Sequence, residues 1–215
     1  KVFWDPSLPD RTPEQRSAMF EAIIQTLAAI HSIPVASVGL ADYGRPGNYF
    51  ERQTTRWSQQ YRDSETQSIA AMDSLIEQLP LRCPEDDGSV SLVHGDFRID
   101  NLMFDQHGQR VLAVVDWELS TLGHPLADLG YFCMALRLPR NPALPGLAGL
   151  DRAELGIPDE QHILQRYTEL TGRPVPSDWA FVLAFSFFRL AAIAQGVAKR
   201  VQQGNASSEQ AAQAG

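Results

Sequence analysis

The sequence predicts an α+β domain that is mainly helical and carries a small β-hairpin insert near its middle. Three observations predict it. Apolar residues recur at three-and-four spacing on both sides of the centre, the periodicity of a helix with one buried face. Between residues 90 and 115 that periodicity gives way to short runs of Val, Leu and Phe, the pattern of strands. Proline and glycine cluster at 34–47 and 138–149, where connecting loops are expected.

The elements follow in order. Thr12-Pro13-Glu14-Gln15 has the form of a helix start, with a Thr cap, Pro at the first position and Gln completing a capping box. That helix is expected to reach His31, with Phe20, Ile23, Ile24, Leu27 and Ile30 on its core face. A second is expected over 49–62, and a third from a Ser64/Gln67 capping box to Leu79. Strands are expected at 91–93, 102–104 and 110–115, with Asp105-Gln106-His107-Gly108 turning the last two into a hairpin. Helices resume at 126–137, 159–171 and 178–201, and the polar segment 204–215 is expected to be a flexible tail.

Composition narrows the function classes. A net charge of −8 and a pI near 5.1 argue against a nucleic-acid partner, which needs a basic surface to neutralise phosphates. Cys83 and Cys133 lack paired spacing, so neither a disulfide framework nor a zinc site is expected, and a cytoplasmic setting is the default. The most apolar stretch, 179–194, is broken by Ser186 and Arg189 and falls short of the roughly 20 apolar residues of a membrane span. A buried core helix, with no membrane partner, is expected instead. The first residues have no leader pattern and no initiator Met, so the chain is expected to continue upstream.

The chemistry concentrates between 93 and 118, where His94-Gly95-Asp96, Asn101 and Asp116-Trp117-Glu118 each stand at the end of an apolar strand. An Asn amide oxygen with an Asp carboxylate suits magnesium, a hard cation that shares its shell with substrate phosphates. The spacing H-x-D-x-x-x-x-N matches the catalytic loop of protein kinases, in which the Asp accepts the substrate hydroxyl proton and the Asn holds metal. Asp116 then falls where those enzymes carry a second metal-binding Asp, here in the triplet D-W-E.

With HGDFRIDN, VVDWE and PLADLGY in order, the chain resembles the aminoglycoside phosphotransferase and choline kinase family, which has a protein-kinase-like fold. The flanking VFWDPSLP and GLADYGRPGNYFERQ are similar to the branch also found fused to acyl-CoA dehydrogenases, over nearly residues 1–200. The resemblance implies an ATP-dependent phosphotransferase acting on a small-molecule hydroxyl, with Mg and with ATP as co-substrate. It implies Asp96 as base, Arg98 as a phosphate contact, and Asn101 and Asp116 as metal ligands. His94 and Asp128 would brace the loop, and Glu118 would either approach a second metal or terminate its strand.

The same resemblance implies that the lobe which grips ATP is absent. Only Lys1 and Lys199 exist, both at the edges of the fold, and no glycine-rich phosphate loop is present. The chain is therefore expected to be the C-terminal lobe, with 1–10 as the end of an interlobe hinge and 11–203 as the lobe itself. Two rival readings remain open: a metal-dependent phosphohydrolase using His94, Asp96, Asp100 and Asp116, and a non-catalytic kinase-like binding module. Arg52 and Arg56, one turn apart beside Trp57, could form an anion-binding face or only a solvated one. The aromatic run Trp179, Phe181, Phe185, Phe187 and Phe188 is expected to pack the core.

Overall fold

The computed structural model describes residues 1–142 and 144–203; the expected tail at 204–215 lies outside the described residues. The first helix, α1 (Pro13–His31), begins as its sequence dictates. Gln15 N–H donates to Thr12 Oγ1 at 3.3 Å, and the Gln15 side chain accepts the Thr12 N–H at 3.1 Å. This reciprocal pairing satisfies two otherwise unpaired donors, a contribution of about 1 kcal/mol for the cap residue. All five residues expected on its core face are buried.

The next two helices depart from expectation at their junction. α2 (Tyr49–Ser64) ends at the residue expected to cap α3 (Ala70–Leu81). Ser64 Oγ donates back to the carbonyls of Gln60 and Tyr61 at 2.7 and 3.1 Å, while its own carbonyl accepts the Gln195 side chain. A Ser hydroxyl can bond backward as readily as cap forward, and here the backward bond extends the preceding helix.

The centre holds two antiparallel ladders. β2 (Leu102–Phe104) and β3 (Val111–Val114) form the expected hairpin through residues 105–108. β1 (Ser91–Val93) pairs instead with β4 (Thr121–Gly123), a strand the sequence did not suggest. Three residues ending in glycine give no periodicity to read, yet that glycine is required. A Cβ on Gly123 would lie 2.3 Å from the ring of Tyr49, so only glycine lets this buried ring pack on the strand.

α4 (Leu126–Met134), the short α5 (Arg152–Leu155), α6 (Glu160–Thr171) and α7 (Trp179–Gln202) complete the chain. α4 is three residues shorter than expected, and α5 was not expected. The core is one cluster, in which α6 packs on α1 while α7 lies against α2, α3 and α4. By length and composition alone α7 could cross a membrane, contrary to the expectation that the stretch falls short. Phe181, Phe185 and Phe188 are buried, and Phe50 of α2 meets the first two edge-on at 5.4 and 5.2 Å, so the helix is a core element.

Candidate active site

Strand β1 leads Val93 out of the core and releases His94-Gly95-Asp96 at its end, where Asp128 holds the loop. Asp128, in the first turn of α4, is fully buried and accepts the His94 and Gly95 backbone N–H groups at 2.7 and 2.8 Å. His31, from the end of α1, lies 3.3 Å from the same carboxylate and 2.8 Å from the Tyr167 hydroxyl. Burial alone would raise the Asp128 carboxyl, but the His31 contact and the two backbone donors together hold it below its ordinary value.

His94 is buried with both ring nitrogens occupied. Nδ1 accepts the Asp96 N–H at 3.2 Å, which leaves Nε2–H to donate to the Val115 carbonyl at 2.9 Å. The ring thus links the loop to the end of β3 and is unavailable to a metal. Gly95 sits at φ 87°, and a Cβ there would lie 2.5 Å from the Leu119 carbonyl, so the tight approach of loop and D-W-E segment demands glycine.

Asp96 is half-buried and heavily engaged. The Asn101 amide donates to its carboxylate at 3.0 Å and to its backbone carbonyl at 2.8 Å, and Arg98 Nε lies 3.4 Å from the other carboxylate oxygen. Arg98 also reaches Asp100 at 2.7 Å, so two carboxylates share one guanidinium. Burial pushes the Asp100 carboxyl up despite that pairing.

The Asn101 NH₂ is spent on Asp96, and no hydrogen bond engages its amide oxygen among the described residues. The Val115 N–H donates to the Asn101 carbonyl at 2.9 Å, so the two hairpin ends are stitched together beside Asp116. Asp116 occupies the left-handed region at φ 65° and is exposed, and its carboxylate carries no hydrogen bond or ion pair among the described residues. Such positive φ in a non-glycine residue costs of order 1–3 kcal/mol and is concentrated at functional sites. One free amide oxygen and one free carboxylate on adjacent strand ends form an oxygen-only donor pair that fits magnesium.

The model of the phosphotransferase enzyme family matches residues 2–166. The chain belongs to that family. The chain is 47% identical to acyl-CoA dehydrogenase family member 10 of Mus musculus over 215 residues, all of this chain but 20% of that protein. A solved structure from Ralstonia eutropha, described as a candidate aminoglycoside phosphotransferase, superposes with a TM-score of 0.95 at 53% identity, over 100% of this chain and 65% of its own. The type VIII aminoglycoside-3'-phosphotransferase, at 17% identity and a TM-score of 0.63, shares the fold. The chain therefore has a kinase-like fold, mostly helical with small sheets, and spans only part of the relatives it matches.

The remaining sequence candidates separate by environment. Glu118 is exposed in a short turn after Asp116, with no hydrogen bond or ion pair among the described residues. The phosphohydrolase set does not assemble: His94 and Asp100 are committed to other partners, and no metal-holding group of three or more His, Cys, Asp or Glu occurs among the described residues. Arg52 donates to the Arg45 and Pro46 carbonyls and braces its own loop, while Arg56 lies over the Trp57 ring. Sequence reasoning missed His31, Tyr131 and Arg189 as neighbours of the catalytic loop. Arg189 alone left a signal, as a charge interrupting an apolar helical run.

Proposed function

We propose that this phosphotransferase moves the γ-phosphoryl group of ATP to a hydroxyl of a small molecule. The observation that carries the reading is the division of labour at Asn101, whose NH₂ fixes Asp96 while its oxygen stays free of hydrogen bonds among the described residues, at the hairpin end that also carries Asp116. Asp96 is the base. The acceptor hydroxyl gives its proton to an Asp96 carboxylate oxygen as its own oxygen bonds to the γ-phosphorus. The bond from that phosphorus to the bridging oxygen breaks, and its electron pair leaves with ADP. Arg98, ion-paired with Asp96 and Asp100, would hold a phosphate oxygen. Asn101 and Asp116 would hold magnesium, which when bound offsets the negative charge of the phosphates.

In this reading the chain is the C-terminal lobe of the enzyme, and residues 1–10 end the hinge from an upstream lobe that grips ATP. The Lys1 backbone pairs with Phe104 in both directions, at 2.6 and 2.8 Å, and so adds an edge to β2. On this hairpin Val2, Met103 and Leu112 are exposed, an apolar floor on which a nucleotide base and the upstream lobe would close. In this reading the acceptor is of the hydroxylated acyl type, by analogy with relatives named for acyl-CoA dehydrogenases.

The test is to assay the full-length protein for magnesium-dependent ATP consumption against hydroxy acids, hydroxyacyl-CoA compounds, amino alcohols and aminoglycosides. Acceptor-dependent ADP formation is expected with one class. Phosphate release from simple esters without ATP would replace the reading with a phosphohydrolase. Absence of magnesium-dependent nucleotide binding would leave a non-catalytic module.

A further inference from the structure

The buried charge on α7 has no ordinary explanation. Arg189 is 4% exposed, yet it has no carboxylate partner among the described residues, and its Nε–H is buried without an acceptor. A lone buried cation is unfavourable unless its surroundings compensate it, and an apolar residue would pack in its place at little loss. What surrounds this one is specific. One guanidinium N–H donates to the Gly95 carbonyl, the peptide that joins Gly95 to Asp96. The cation also lies 5.1 Å from the Tyr131 ring and 5.3 Å from the Trp57 ring, so aromatic faces from α4 and α2 flank it. The Tyr131 ring in turn lines one cavity with Phe97 and Arg98, the residues that follow Asp96.

We propose that Arg189 is a positioning residue for the proposed transfer, acting on Asp96 from two directions through the Gly95 carbonyl and the Tyr131 ring. The first contact sets the peptide plane from which the Asp96 side chain departs. The second holds the ring that packs beside the residues following Asp96. A planar guanidinium serves both at once, since its edge donates while its face stacks, and a lysine ammonium cannot do the same. Gly95 has no side chain to steady it and occupies a positive φ, so the fork is the external tie on its carbonyl side, as Asp128 is on its N–H side. Loop and base are thereby coupled to α2, α4 and α7.

The inference rests on the kinase reading above, and the experiment keeps the two apart. In the full-length protein, magnesium-dependent ATP hydrolysis is measured with water as the acceptor, for wild type, D96A, R189M, R189K and Y131F. R189M is expected to lower kcat on the order of 10²-fold with an unchanged KM for ATP and a cooperative melt, because a misplaced base slows the step without loosening nucleotide. Y131F is expected to lower kcat by a smaller factor, again at unchanged KM. A wild-type kcat in R189M, with D96A inactive, overturns the positioning role and leaves the kinase reading intact. If R189M does not fold, R189K decides, because a wild-type kcat with lysine shows that the planar fork is not used and overturns the proposal. No ATP turnover by wild type with water or with any acceptor of the panel above, or full turnover by D96A, removes the reading and this inference with it; where only an acceptor supports turnover, the same variants are compared with that acceptor.

Discussion

The two halves of the site are built in opposite ways. On the β1 side, residues 94–101 are mostly buried and tied down at nearly every polar group, by Asp128 below, by the hairpin end at Val115 and by Asn101 across the loop. On the β3 side, Asp116 and Glu118 are exposed and carry no such ties among the described residues, and only the backbone of Asp116 is held in an unusual conformation. The difference teaches where preorganisation is needed. A base must stand at a fixed distance from the hydroxyl it deprotonates, whereas a metal ligand can be drawn into place by the ion and phosphates it binds.

That contrast can be broken most sharply at Asp96. In the full-length protein, D96A should lower phosphoryl transfer by about 10² to 10⁴-fold with ATP affinity unchanged, measured by ADP formation and by nucleotide titration. Retained turnover would move the base elsewhere.

The braced half should also carry stability that the open half lacks. D128A removes the acceptor for two backbone donors and a histidine in one step, and should cost about 3–5 kcal/mol in denaturant unfolding, as for other broken buried pairs. A cost under 1 kcal/mol would show that the loop is held without it. The sign with pH follows from the lowered Asp128 carboxyl. Its contribution is fully present above the ordinary carboxylate range and is lost as pH falls through the lower folded value, so D128N should flatten the acid limb of the stability curve.

At the open half the expected order reverses. D116N should raise the magnesium concentration needed for half-maximal rate by about tenfold or more, as charge is removed from the donor pair, yet leave the melting temperature unchanged. A large loss of stability would place Asp116 among the bracing residues. The smallest effect belongs to Glu118, where E118Q should shift stability by less than about 0.5 kcal/mol. A change in the magnesium dependence of that variant would sharpen the comparison by adding a second ligand.

Several parts were legible in the chain because their causes are local. The α1 cap is written in four consecutive residues, and the β2–β3 hairpin in a turn between two apolar runs. H-x-D-x-x-x-x-N reads directly because one short loop spans all three groups. Local rules also misled where two were compatible with the same residue. Ser64 satisfies a capping pattern, and its hydroxyl bonds backward in the fold because its carbonyl is claimed by Gln195, far along the chain. β4 was invisible because three residues gain strand geometry only from the partner they find in β1.

The sequence by itself determined the helical periodicity, the central hairpin and the order of the three polar groups, since each depends on residues within one turn or one loop. Beyond Asp128, which the resemblance already implied, only the tertiary structure decided which distant side chains reach the 94–101 loop. His31, Asp128 and Arg189 come from three separate helices and reach it because packing of those helices closes the intervening distances. Contacts between residues so far apart in sequence have no local pattern, and the burial that makes them matter exists only after the core has formed.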